Sequence, residues 1–302
     1  MQKINELLRK SNINPRKYIK NKKITIIETE DKKYAIKQKT KDNQYIYDYL
    51  KSRNFNYIPK ILNNQDDYEI RNYIESYEIP EEQKMIDLID LVSLLHNKTT
   101  HYKEVTEDNY KEIYEDIKNN IEYLYGYYTD MITIIESKVY MSPCEYLIAR
   151  NISKIFEILN FIKKEIDNWY SIVKQNKKQR LVILHNNLEL NHIIINEKNY
   201  LISWEKSKIG IPIFDIYKLY MKHGLEFDFT ELIKRYEKSY PLHEDEKRLL
   251  FMLILMPRKI ELEKTEYENT KEAGKIIDMI YKTQELVLPY YSKEGKKDNS
   301  NK

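Results

Sequence analysis

A single cysteine, Cys144, excludes an intrachain disulfide and any cysteine-built zinc site, and a reducing, cytoplasmic setting is the simplest expectation. Glycine is nearly as scarce. There are 5 in 302 residues and none before Gly126, so no glycine-rich phosphate loop can lie upstream of it. The longest apolar run, 249–256, falls far short of the ~20 residues a membrane helix requires. The start, Met1-Gln2-Lys3-Ile4-Asn5, has no signal-peptide core, and no membrane partner is expected. Nor does one charge prevail: Lys+Arg 51 against Asp+Glu 48 leaves a net charge of +3. Lysine clusters at 20–23 and 37–41 sit in a chain almost equally rich in acids and read as solvated surface, so no nucleic-acid partner is expected.

What remains is 41% hydrophobic residues, enough to bury a core in one large domain or two lobes. The 28 tyrosines accompany abundant Lys, Ile and Asn, as an AT-rich coding sequence would produce, and read as core and rim. Ile4, Leu7 and Leu8 have helical spacing within a lead-in over 1–20. The runs 24–27 and 34–37 flank a polar turn and predict an antiparallel hairpin. A helix is expected over 43–53, with strands over 58–62 and 68–74 joined by the polar stretch 63–67. From Pro80 the period changes to 3.6: Met85, Leu88, Ile89, Val92 and Leu95 share a face. Long amphipathic helices follow over 107–138 and 143–175, the second closed by Lys174, Lys177, Lys178 and Arg180 as a basic helix end. A short β segment over 181–204 precedes helices over 229–239, 244–256 and 268–286.

One stretch is more specific: Leu184-His185-Asn186-Asn187-Leu188-Glu189-Leu190-Asn191-His192, then a hairpin ending in Ser203-Trp204-Glu205, then Gly210-Ile211-Pro212-Ile213-Phe214-Asp215. This resembles the core of the aminoglycoside and choline phosphotransferase family, kinase-fold enzymes of small molecules that also include kinase-like spore-coat proteins. The family pattern is H-G-D-L, an Asn five residues after the Asp, a hairpin ending in I-D-W/F, and G-x-P-x-x-D-L. Tyr34-Ala35-Ile36-Lys37 resembles the strand carrying the nucleotide-binding lysine, Tyr73-Ile74-Glu75 the hinge, and 91–96 the helix that ends in Leu-His. The resemblance covers roughly 20–290. It implies an α+β, bilobal protein-kinase-like fold, with a β-rich N-terminal lobe over 1–76, a helical C-terminal lobe over 77–290 and a disordered tail over 291–302.

The resemblance also locates the chemistry. Phosphoryl transfer needs a carboxylate to orient the attacking hydroxyl and oxygen ligands for Mg²⁺. Asn187 stands at the catalytic-Asp position, His192 at the metal-binding Asn and Ser203 at the metal-binding Asp, while His185, His96, Trp204 and Asp215 keep their structural places. An amide cannot accept the proton, imidazole suits transition metals better than Mg²⁺, and a serine hydroxyl brings no charge. Lys37, with Tyr73 and Glu75, is the expected nucleotide contact, and Gln44 or Asp48 the candidate partner of Lys37. Glu205, two residues after Ser203, would share its face in a strand and could replace the lost carboxylate. The expectation is an inactive phosphotransferase-like protein that binds a small molecule or a protein partner in the interlobe cleft and needs no cofactor. The alternative is an unconventional ATP- and Mg²⁺-dependent kinase using Glu189, Glu205 and His192.

Overall fold

The computed structural model describes residues 2–21, 24–39, 43–63 and 68–298. In chain order the first half comprises α1 (Gln2–Lys10), β1 (Lys17–Asn21), β2 (Ile24–Glu28), β3 (Lys33–Gln38), α2 (Gln44–Ser52), β4 (Ile61–Asn63), β5 (Tyr68–Asn72), α3 (Glu81–Thr99), β6 (His101–Glu104) and α4 (Glu107–Glu136). Then come α5 (Pro143–Val173), β7 (Lys178–Leu184), β8 (Ile193–Ile194), β9 (Tyr200–Leu201), β10 (Lys208–Gly210), α6 (Ile213–His223), α7 (Phe229–Ser239), α8 (Glu244–Leu255) and α9 (Glu266–Asp298). The last helix runs through most of the stretch expected as a disordered tail; 299–302 lie outside the described residues, as do 64–67 of the polar turn and 22–23 and 40–41 of the lysine clusters.

Two compact units result, each gathered from several segments of the chain. The first holds Met1–His101, Leu181–Asp215 and Arg235–Tyr240. Its antiparallel sheet has the order β1-β2-β3-β5-β4. β1 is a strand within the lead-in, where the sequence suggests only a helix. It pairs along β2 from Lys17↔Glu28 to Asn21↔Ile24. Period-two alternation divides the sheet's residues. Ile27, Ile36 and Ile70 point to one face, where Leu7 and Leu8 of α1 and Ile13 cover them. Ile24, Ile26, Ala35, Lys37, Glu69 and Arg71 point to the other, with Lys37 opposite Glu69 and Ala35 opposite Arg71.

Asparagine serves this glycine-poor chain where helices must stop. Asn12 after α1 and Asn54 after α2 both have φ 53°, the left-handed region that asparagine tolerates better than most residues. Behind each, the next apolar residue reaches back: Ile13 N–H to Leu8 O at 3.0 Å and Phe55 N–H to Leu50 O at 2.9 Å. Ile13, Leu8, Phe55 and Leu50 are all buried, so each stop also adds to the core.

The second unit holds Tyr102–Arg180, Ile216–Lys234 and Pro241–Lys302. Its frame is the α4–α5 hairpin, with Ile148, Ile155, Leu159, Ile162, Ile166 and Trp169 forming the buried stripe of α5. Ser142 caps α5: its Oγ accepts the Glu145 N–H at 3.3 Å, and the Glu145 carboxylate accepts the Ser142 N–H at 2.9 Å, with Pro143 opening the helix. α5 ends at Val173, so Lys178 and Arg180 belong to β7 and not to a helix end. The extended backbone there aims Arg180 at Glu246 (Nε–Oε1 2.9 Å) and at the Pro241 carbonyl at 3.0 Å, fixing the start of α8.

Within the first unit, β10 pairs antiparallel with β7, Gly210 opposite Val182. A Cβ at Gly210 would sit 2.5 Å from Leu184 Cδ1, and Leu184 is fully buried. Close packing is therefore what this glycine serves. We predict that Gly210→Ala destabilises the protein by about 1–3 kcal/mol, read as a lower urea midpoint; an unchanged midpoint would refute the packing role.

Candidate functional site

The loop that carries the candidate residues is held by one buried carboxylate. Asp215, at the start of α6, accepts the His185 N–H at 2.8 Å on Oδ2 and the Asn186 N–H at 2.6 Å on Oδ1. His96, at the end of α3, adds Nε2 at 3.2 Å from Oδ2, and its Nδ1 is 2.6 Å from the Tyr236 hydroxyl. Burial pushes the Asp215 carboxyl upward, but the hydrogen bond from His96, with that from the Asn186 N–H, outweighs it and holds it below the usual range. An ionised carboxylate only accepts, so His96 donates to it through Nε2. His185 is fully buried, donates Nε2–H to the Ile202 carbonyl at 2.8 Å, and leaves Nδ1 with no partner. Burial lowers its pKa to about 4 against the raising effect of Asp215, so the ring is neutral. His185 and Asp215 thus hold the backbone.

Asn186 occupies the glycine position of the family's pattern with φ 60°, and its side-chain amide donates to the Lys206 carbonyl at 2.8 Å. His192 turns its imidazole onto the loop itself, Nδ1 lying 2.6 Å from the Asn187 carbonyl oxygen. It closes the turn between these two positions. Ser203 adopts φ 68°, ψ 52°, and residues Trp204–Lys206 form a 3₁₀ turn. The strand geometry expected to align Ser203 with Glu205 is absent, because the left-handed residue ends the extended backbone. Both nonetheless line one cavity of about 210 Å³, walled by Ile24, Ile26 and Ala35 of the sheet and by Ile194, Ile202 and Trp204.

In this cavity the Lys37 ammonium is paired with the Glu205 carboxylate. The expected partners of Lys37 on α2 are elsewhere: Gln44 Nε2 donates to Asp48 at 2.9 Å. The Lys37–Glu205 pair, each side chain little more than a quarter exposed, replaces that contact. Burial alone would raise the Glu205 carboxyl, but the bond from Lys37 and the charges of Lys37 and Arg71 keep it below its ordinary value. Beside it, Arg71 on β5 forks onto Glu69 through Nε and through Nη2 at 3.0 Å, and Nη2 also donates to the Tyr47 hydroxyl at 2.6 Å. Tyr47, desolvated and facing Glu69, has its pKa pushed up to about 12 despite Arg71. Asn43 ties α2 to the same region through Nδ2 to the Trp204 carbonyl at 2.6 Å.

Lys37, Ser203, Glu205 and Tyr73 therefore meet at the cavity. Glu75 does not; it pairs with Lys33 at 2.7 Å on an exposed groove. Among the described residues, no three His, Cys, Asp or Glu side chains lie close enough to hold a metal ion, so His192, Glu189 and Glu205 do not form a ligand set. Glu69, Arg71 and Tyr47 are site residues absent from the sequence expectation. The signal was available: burial of Ile70 on one face of β5 places Glu69 and Arg71 on the other, beside Lys37.

An aminoglycoside phosphotransferase from Alicyclobacillus acidocaldarius is similar in structure, with a TM-score of 0.67 at 8% identity, covering 92% of this chain and 92% of that one. A spectinomycin phosphotransferase bound to AMP gives a TM-score of 0.54 at 13% identity, covering 93% and 98% of the two chains. Its complex with ADP and spectinomycin gives 0.51 at 13% identity, covering 94% and 98%. No family model and no curated protein matches the sequence. The chain has the protein-kinase-like α+β fold of these phosphotransferases, and at such identities the likeness is one of fold. No helix among the described residues is long and apolar enough to cross a membrane.

A depressed carboxyl contributes stability above its unfolded-state value and loses that contribution as the pH falls through the folded one. For Glu205 the ordinary value is 4.5. Glu205→Gln is expected to lower the melting temperature at neutral pH, and the gap to the parent protein should close as the pH falls from about 6 to about 3. A gap that is constant across this range would contradict the ion pair.

Proposed function

We propose that this chain is a kinase-fold binding protein that does not transfer phosphate. The observation that carries this is the pairing of Lys37 with Glu205, which lines the same cavity as Ser203 at the metal-binding position. The cation expected to meet phosphates is thereby neutralised, and so is the carboxylate that the alternative reading assigns to Mg²⁺, while Glu69, the other carboxylate of the cavity, is held by Arg71. The remaining donors suit the ion poorly: Asn187 and Ser203 are uncharged, and His192 is turned onto a backbone carbonyl. Binding a small molecule or a protein partner then replaces catalysis. The kept histidines and Asp215 serve the fold of the loop, which binding also requires.

The competing assignment, an active kinase with Glu205 as its carboxylate ligand, draws on the lining that Glu205 and Ser203 share. Steady-state assays with ATP, Mg²⁺ or Mn²⁺ and a panel of hydroxylated small molecules are expected to show no phosphoryl transfer. Turnover that Asn187→Ala abolishes would overturn the proposal. In the opposite direction, Asn187→Asp combined with Ser203→Asp restores the anions of the catalytic and the metal-binding positions. That variant is expected to gain about tenfold or more in Mg²⁺-dependent ATP affinity, an increment of about 1.4 kcal/mol; no gain would mean that the substitutions are not what removed metal binding.

A further inference from the structure

A second cavity, of about 370 Å³, lies wholly within the second unit, between α6, the turn that follows α8, and α9. One water needs only ~10–15 Å³, so the space is that of a larger molecule. Its lining is sorted by polarity. Met221, Met256, Met279, Ile254, Ile276 and Ile280 form the interior, all of them buried or half-buried. Thr283 is the one polar side chain among the buried lining, and it is spent: its hydroxyl donates to the Met279 carbonyl at 2.6 Å and so accepts from the Tyr220 hydroxyl, also at 2.6 Å. The charged lining residues, Lys222, Glu226, Arg258 and Lys275, are all exposed. An interior of this kind offers nothing to a polar group and suits hydrocarbon.

The mouth selects the sign of the head group. Three cations stand there against one carboxylate, and that carboxylate, Glu226, already lies 2.5 Å from His223 Nδ1. A net positive mouth over an apolar interior matches an anion with a hydrocarbon tail. The mouth is also built in advance. Arg258 donates Nη2 to the Met221 carbonyl at 2.5 Å and so ties the turn to α6. On the turn's other side, the Tyr128 and Tyr127 hydroxyls of α4 donate to the carbonyls of Arg258 and Ile260, each at 2.5 Å. Groups fixed before binding have less freedom to lose on binding. Three thioethers then give the interior an unbranched, pliable surface that can follow a flexible alkyl chain.

We infer that this cavity binds a fatty-acid-type amphiphile: one unbranched alkyl chain among the methionines, with its carboxylate at Lys222, Arg258 and Lys275. The inference goes beyond the proposed non-transferring role and stands apart from it. No residue of the Lys37–Glu205 cavity and none of the loop over 185–192 lines this one.

Decanoate and decyltrimethylammonium form a matched pair of probes, with the same chain and opposite head charges. Calorimetric titration of the full chain, with both probes kept below micelle-forming concentrations, is expected to show decanoate binding about tenfold or more tighter. Lys222→Gln combined with Lys275→Gln changes two exposed side chains only, and should erase that preference at an unchanged melting temperature. Ile276→Trp fills the interior and should abolish decanoate binding while the charges of the mouth stay in place. Equal binding of the two probes, a preference that survives the double lysine variant, binding unaffected by Ile276→Trp, or no binding of decanoate would overturn the inference. So would co-sedimentation with phosphatidylglycerol vesicles in place of decanoate binding, since it would assign the cationic face to a membrane surface. Phosphoryl transfer in the turnover assay would sink the non-transferring role and leave this inference untouched.

Discussion

Charge balance inside a small, poorly solvated cavity is the constraint on which the rest of this structure depends. Two cations and two carboxylates occupy it, Lys37 with Glu205 and Arg71 with Glu69. Unpaired, any of them would be costly at such burial, since a charge removed from water must find a partner or neutralise. Paired, they fix one another and bring β3, β5 and the turn after Ser203 into register.

The loop's support is separate from its chemistry. Asp215 satisfies two backbone N–H groups and His96, and His185 satisfies the Ile202 carbonyl, all in buried positions. None of these contacts involves Asn187, Ser203 or Glu205. The residues that shape the loop could therefore be kept while those that would perform transfer changed. That separation accounts for a sequence in which the scaffold of a phosphotransferase motif stays legible and its charged positions do not.

Period and spacing made much of this architecture readable. The 3.6 period from Met85 and along α5 located the long helices, and the β2–β3 hairpin followed from two β-rich runs around a polar turn. Local patterns failed where tertiary contacts decide. β1 is a strand because it pairs with β2, although Lys17 and Lys20 make its sequence look like a polar lead-in. Arg180 sits in β7 because Glu246 receives it. At the site, Lys37, His185 and Asp215 were recognisable from motif order. The partner of Lys37 was not, since Glu205 is distant in sequence and approaches only because Ser203 takes a left-handed conformation. Glycine content does not mark the left-handed positions of this chain: none of the described residues at positive φ is glycine, and Asn12, Asn54 and Asn186 do that work with Ser203.

The central claim is that the site has no anion free to hold a divalent metal against phosphates. Calorimetric titration of the unmodified chain with ATP, with and without Mg²⁺, tests it most directly. The account predicts the same affinity, or the same absence of binding, in both titrations. A tenfold or larger gain on adding Mg²⁺, corresponding to about 1.4 kcal/mol, would contradict it.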